Sequence, residues 1–272
     1  MEQLQRPDHR ALTRLDGRGV VILGCGGGGM GTATALMLAE AGAKLLCVDI
    51  DPAQARDTAD QTGGEPYVAD ICDRAQMEKL FARAEDLFGD GFHGVVDIVG
   101  ASIGGPIPSF DDATIEKMFT LNLRHAVLTT QIAGPMLAKR GRGSMAFISS
   151  LASLAVAPNQ PMYSVAKAAL NHLVRCAAFE YGPYGVRSNA VATAINLTPG
   201  VKAHVTADEI DAMAQLSPMK RVGVPQDMAN TLFYLISDLS SYINGSIIAL
   251  DGGIMIDAHL PRLDRTAQTQ QA

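Results

Sequence analysis

The chain lacks the marks of several whole classes of protein. Lys and Arg number 22 against 28 Asp and Glu, a formal net charge of −6, so it carries no basic footprint for a nucleic acid. No stretch of membrane-spanning length is continuously apolar. The richest, from Val20 to Leu38, is broken by glycines and reads as strand, turn and helix. The opening MEQLQRPDHRALTRLDGRG has no apolar stretch of the kind a secretory signal needs. Cys25, Cys47, Cys72 and Cys176 show no CxxC or metal-ligand spacing, and Cys25 and Cys47 sit in apolar or Gly-rich runs where a free thiol is a small hydrophobe. His93, His125, His172 and His204 show no metal spacing either, and ordinary surface or core positions account for each. No repeat or low-complexity segment occurs. These absences predict a soluble, metal-free chain with no membrane partner, in the reducing cytoplasm.

What is present is a chain of 272 residues, 47% of them apolar, enough for one large core and too short for two generous domains. Segments of strand character at 20–23, 44–49, 67–69, 94–99, 144–149, 186–192 and 246–250 alternate with helical ones. The helices are read at 30–41, 52–62, 74–88, 112–139, 161–181 and 226–237. Strict alternation with Val/Ile/Leu-rich strands predicts an α/β fold, a doubly wound parallel sheet of about seven strands covered by helices on both faces. A polar arm (1–16), one domain (17–257) and a polar tail (258–272) complete the expected organisation.

Two places carry chemistry. Between the first strand and its helix lies Gly24-Cys25-Gly26-Gly27-Gly28-Gly29-Met30-Gly31, where backbone can approach a bound group and a helix N-terminus offers free N–H groups. Gly26, Gly28 and Gly31 satisfy GxGxxG, a weak signal alone but here in the required strand–turn–helix context. The next strand ends at Asp49, an acid placed to accept hydrogen bonds from a ribose 2′-hydroxyl and to repel a 2′-phosphate. No Arg or Lys adjoins it, which favours NAD over NADP. Asp51, directly before Pro52, fits a helix cap better and leaves Asp49 free.

The second place is YSVAK, with Tyr163 and Lys167 on one helix face and Ser150 upstream in ISSLAS. An ammonium beside a phenol favours the phenolate and draws its pKa down from about 10. Such a phenol can take a proton from an alcohol or return one to a ketone. The spacing alone arises by chance in many proteins, so context decides.

Together these motifs resemble the short-chain dehydrogenase/reductase family, in its compact single-domain branch, over roughly residues 16–256. The family's TGxxxGxG is matched at Gly29, Met30 and Gly31, with Gly24 and Cys25 departing from it. Asp70-Ile71 matches the pair flanking the adenine ring. NNAG is replaced by Asp97-Ile98-Val99-Gly100, where a protonated Asp97 could partly imitate the amide. Pro-Gly after GVRSNAVA is replaced by Thr193-Ala194, and the ending with Asp251-Gly252-Gly253 matches closely. The resemblance implies a Rossmann-type dinucleotide fold and a catalytic set of Asn122, Ser150, Tyr163 and Lys167. It implies cofactor contacts at Gly28, Gly29, Met30, Gly31, Asp49, Asp70, Ile71, Asp97, Gly100, Tyr163, Lys167, Asn196 and Thr198. Tyr163 would be general acid/base, Lys167 would lower its pKa and hold the nicotinamide ribose, Ser150 would orient the substrate oxygen, and Asn122 would kink its helix and hold a water.

Substrate walls are expected from 101–108, 151–162 and a variable loop at 198–219. Their apolar character suggests a small hydrophobic alcohol or ketone, and no arginine cluster stands ready to clamp a carboxylate or phosphate. Family members commonly pair the helices at 112–139 and 161–181 across a dyad, so the resemblance implies a homotetramer. A 3-oxoacyl-thioester reductase and a non-catalytic NAD-binding scaffold or sensor are the competing expectations.

Overall fold

The computed structural model describes residues 8–256. Seven strands, β1 (Gly19–Leu23), β2 (Lys44–Asp49), β3 (Glu65–Val68), β4 (Phe92–Asp97), β5 (Gly143–Ser150), β6 (Val186–Thr193) and β7 (Ile247–Leu250), form one sheet. Their order is β3-β2-β1-β4-β5-β6-β7 and every pairing is parallel. Successive side chains alternate between faces. Val21, Leu23, Leu46 and Phe147 therefore point into one hydrophobic layer, and Val20, Ile22, Cys47 and Ile148 into the other. The doubly wound sheet anticipated from the alternation is the observed fold.

The first layer is filled from α3 (Arg74–Phe88), α5 (His125–Lys139) and α6 (Pro161–Tyr181). The second is filled from α1 (Met30–Glu40), α2 (Pro52–Thr62) and α9 (Pro225–Ile236). Where caps are explicit, helix limits fall where the sequence puts them. Asp51 accepts from the N–H groups of Ala53 (2.8 Å) and Gln54 (3.3 Å), Pro52 occupies the first helical position, and Gly63 ends α2 with φ +67°. Asp51 is thus the cap, as the sequence suggested.

Three expectations are corrected. The strand expected at 67–69 lies earlier, at Glu65–Val68, because its register against β2 runs from Leu46↔Glu65 to Asp49↔Val68. The single helix expected at 112–139 is α4 (Asp112–Phe119), a π turn at Thr120–Arg124, then α5. The variable loop at 198–219 holds two helices, α7 (Pro199–Lys202) and α8 (Ala207–Leu216). A reciprocal cap starts α8: Thr206 Oγ1 accepts from Glu209 N–H (3.3 Å), and the Glu209 carboxylate accepts from Thr206 N–H (2.8 Å).

The arm is not free at its inner end. Leu15 is fully buried in the second layer and its N–H donates to Ala41 O (2.8 Å). The tail expected at 258–272 lies outside the described residues. No helix among the described residues is long and apolar enough to cross a membrane.

Candidate active site

The strand order reverses between β1 and β4, which opens a crevice at the carboxyl ends of the strands, the place where open parallel sheets hold ligands. On the β1 side the glycine turn is drawn tight: the N–H groups of Gly24 (2.9 Å) and Cys25 (3.0 Å) both donate to Val48 O. Gly27 and Gly28 adopt φ of +79° and +63°, left-handed values that a side chain would strain. A Cβ on Gly31 would stand 2.1 Å from Gly24 O, so this first turn of α1 packs directly on β1. The Cys25 side chain points into the core, where the Cys47 sulfur and burial push its pKa up and leave it inert. Its carbonyl meanwhile accepts from Thr32 Oγ1 (3.0 Å) and Thr58 Oγ1 (3.1 Å), so the departure from glycine is absorbed inward and the turn is tied to α1 and α2.

Asp49 stands at the end of β2 beside this turn. Its carboxylate accepts from the N–H groups of Gly26 (2.9 Å) and Asp51 (3.1 Å), which fixes its orientation. A carboxylate has about four acceptor positions, so capacity for a pair of ribose hydroxyls is left. Glycine cradle, helix N-terminus and acid together fit a dinucleotide. Asp70 spends one oxygen on Cys72 N–H (2.9 Å). Ile71 is buried in the core, so only its backbone is open to a bound group. Sequence reading missed Ile50 and Val68, 68% and 51% exposed at the ends of their segments next to Asp49. An exposed apolar residue directly after the acid that ends β2 is the signal that could have found them.

On the other side of the crevice Lys167 is fully buried on α6, and its Nζ donates to Ile148 O (2.9 Å) and Val99 O (3.5 Å). Asn122 explains the π turn. Its Nδ2 donates to Met118 O (2.9 Å), one helical turn back, and to Ala101 O (2.8 Å), while its Oδ1 accepts from Ala101 N–H (3.1 Å). A side chain that takes a carbonyl of the helical ladder opens the helix there. Where the resemblance implies a kink, the structure has this π turn. A Cβ on Gly100 would lie 2.8 Å from Lys167 Nζ and 2.9 Å from Asn122 Oδ1, so these three residues converge.

Tyr163 sits one turn before Lys167, with Nζ 5.9 Å from its ring centroid. Here one expectation is corrected. Burial holds the phenol above its ordinary pKa, the Ser150 hydroxyl pulls it partly back, and the ammonium contributes no resolved lowering. Nζ donates to two backbone carbonyls and not to the phenol oxygen. Burial also brings Lys167 down to about 8, against the opposing charge of Asp97. Ser150 ends β5 and its Oγ accepts from Ala152 N–H (3.2 Å). Ser149 is buried and bound to Ser153 Oγ (3.1 Å), the structural member of the pair.

Asp97, expected among the cofactor contacts, is placed elsewhere. Its carboxylate is fully buried and meets His125 Nδ1 at 2.7 Å, so backbone rather than side chain is what this residue could offer a cofactor. Asn196 is buried, its Nδ2 donating to Ala194 O (3.1 Å) and its Oδ1 left without a partner. Thr198 caps α7 by accepting from Val201 N–H (3.2 Å). Thr198 and Pro199 lie against the glycine loop, within 3.5 Å and 3.7 Å of where side chains on Gly29 and Gly28 would begin.

Ser150 and Tyr163 face a mainly apolar cavity of about 520 Å³. Ser102, Leu151 and Pro158 line it from two of the expected segments, and Met213 and Leu216 line it from α8. Sequence reading missed Arg221, whose guanidinium is held in two contacts by Asp227 (2.6 and 2.9 Å) at the cavity wall.

Comparison with known proteins agrees with this geometry. A family model described as "Enoyl-(Acyl carrier protein) reductase" matches residues 26–255. The chain is 34% identical over 247 residues to the 7alpha-hydroxysteroid dehydrogenase of Escherichia coli (strain K12), covering 88% of this chain and 95% of the relative. It is 33% identical over 257 residues to the levodione reductase of Leifsonia aquatica, covering 89% and 95%. Among solved structures, a 7 alpha-hydroxysteroid dehydrogenase complexed with NADH and 7-oxo glycochenodeoxycholic acid superposes with a TM-score of 0.84 at 30% identity, covering 91% of this chain and 98% of that one. The chain belongs to the short-chain dehydrogenase/reductase family, whose members are oxidoreductases.

Proposed function

We propose that this protein is an NAD-dependent dehydrogenase that interconverts a bulky, hydrophobic secondary alcohol and its ketone. The observation that carries the reading is the convergence of Tyr163 and Ser150 on one apolar cavity. The glycine turn and Asp49 close the other end of the crevice. Bound NAD would supply hydride acceptance and donation. Gly28, Gly29, Met30 and Gly31 would hold its pyrophosphate, Asp49 its adenosine ribose, and Asp70, Ile71 and Gly100 would flank it through backbone. Asn196 and Thr198 would hold its carboxamide and Lys167 its second ribose. Tyr163 as phenolate takes the alcohol proton and as phenol returns it to the ketone, Ser150 fixes the oxygen by hydrogen bonding, and the buried Lys167 supplies a cation near the oxygen where charge develops. The two relatives and the steroid-bound neighbour named above support a multi-ring or alicyclic substrate.

Turnover is tested with NAD or NADP and a panel of cyclic, steroidal and aromatic alcohols, following the reduced cofactor. Turnover preferring NAD supports the reading. NADPH-driven reduction of acyl thioesters replaces it with an acyl-thioester reductase, and tight NAD binding without turnover replaces it with a scaffold. Asp49→Ala is expected to lower kcat/KM for NAD by about 10- to 100-fold, the loss of hydrogen bonds to a charged acceptor, and to narrow the discrimination against NADP. An unchanged preference would show that Asp49 does not read the ribose.

The free cysteines support a reducing cytoplasm as the site of action. Phe179 is 88% exposed on α6 beside His172, Arg175 and Cys176. That face supports a homotetramer, and a light-scattering mass of one chain would refute it.

A further inference from the structure

We propose that Asp97, held in place by His125, is a positioning residue: a buried negative charge behind Lys167 that keeps the lysine an ammonium during turnover. The inference rests on the oxidoreductase reading above. A family pattern with a neutral amide at this place has no such charge.

The geometry is a short relay. Asp97 Oδ2 meets His125 Nδ1 (2.7 Å) and accepts from Thr129 Oγ1 (3.5 Å), and Oδ1 accepts from Val99 N–H (3.3 Å). Lys167 Nζ donates to the carbonyl of that same Val99 (3.5 Å). Carboxylate and ammonium are therefore bound to one residue's backbone from opposite ends. Every contact on Asp97 comes from a donor, which suits an ionised carboxylate, an acceptor only. His125 Nε2 is buried and has no partner. A neutral ring donating from Nδ1 leaves the carboxylate's charge to act on Lys167 across Val99.

The remaining charged and titratable neighbours do not supply that role. Tyr163 faces Lys167 from its own helix, and burial keeps its phenol protonated. The Cys72 thiol, before α3, is pushed up to about 11 by burial and then by Asp70 and Asp97, and stays neutral. Arg124 lies beyond it, donating to Cys72 O (2.9 Å). Lys167 itself is drawn down by burial to about 8 and held up by Asp97 alone. Without the carboxylate, burial would act on the ammonium unopposed.

The test is Asp97→Asn in the full-length protein, read by 13C-lysine NMR with the Lys167 resonance assigned by its loss in Lys167→Met. Lys167 is expected to titrate about one pH unit lower in the variant than in the wild type, the size of a neighbouring opposite charge. The alkaline limb of the kcat/KM profile moves down with it, while KM for NAD stays unchanged. If Asp97→Asn does not fold, Asp97→Ser serves, because it removes the same charge in a smaller side chain and the lysine is expected to shift the same way. Coincident titrations in variant and wild type, whatever the change in melting temperature, would overturn the proposal. An NMR shift in a protein that turns over no alcohol leaves the electrostatic coupling standing and refutes the catalytic reading. Turnover without the shift does the reverse.

Discussion

Tyr163→Phe is expected to lower kcat/KM by about 10²- to 10⁴-fold, the range set by losing a positioned proton donor and acceptor. The fold should be unaffected, because the phenol oxygen caps no helix and bonds no backbone group, and the ring is retained. Stopped turnover with intact NAD binding, measured by fluorescence titration and by reduced-cofactor absorbance, is the expected pair of results. Burial raises the free phenol's pKa here, so alcohol oxidation in the wild type should rise with pH until Lys167 loses its proton. A variant that keeps most of its turnover would remove Tyr163 from the chemistry.

Gly31→Ala should act at the other end of the crevice and with comparable force. A methyl group 2.1 Å from Gly24 O and 2.8 Å from the Cys25 backbone meets main chain on both contacts, with no flexible side chain to yield. Overpacking against rigid surroundings costs about 1–3 kcal/mol or more. Relief comes only by separating α1 from β1, which widens the turn that would cradle a pyrophosphate. NAD affinity is expected to fall at least about tenfold, each 1.4 kcal/mol being a factor of ten, with a lower melting temperature. Calorimetric binding and thermal unfolding measure the two effects. Wild-type affinity in the variant would mean that the glycine turn does not hold the cofactor.

The contrast between what was legible and what was not follows physical lines. The limits of β2, α2, α3 and α6 could be read because local chemistry sets them: Asp51-Pro52 and Gly63 around α2, Asp73 accepting from Gln76 N–H (2.9 Å) before α3, and Pro161 opening α6. The convergence of Asn122 and Lys167 was legible only through resemblance, since they come from different helices and meet at Gly100. Thr206 and Glu209 mark the start of α8 in the sequence, inside a stretch that otherwise reads as a substrate loop. The π turn had no such announcement. Its cause is a competition between one amide side chain and the backbone for Met118 O, which no propensity records. Asp97 was misplaced for a related reason: its partner His125 lies on another element and reads, alone, as an ordinary histidine.

The π turn also sets a counting rule for the helix that carries it. An α-helix advances about 100° per residue, and the widened turn at Thr120–Arg124 takes up one extra residue between α4 and α5 without adding its share of rotation. The extra residue leaves room for the Asn122 amide to reach both Met118 O and Ala101. Deleting a single residue here would mend the helix and ruin the site, because Asn122 would lose the turn that aims it. In this segment irregularity is the ordered state, and a smoother sequence would be the damaged one.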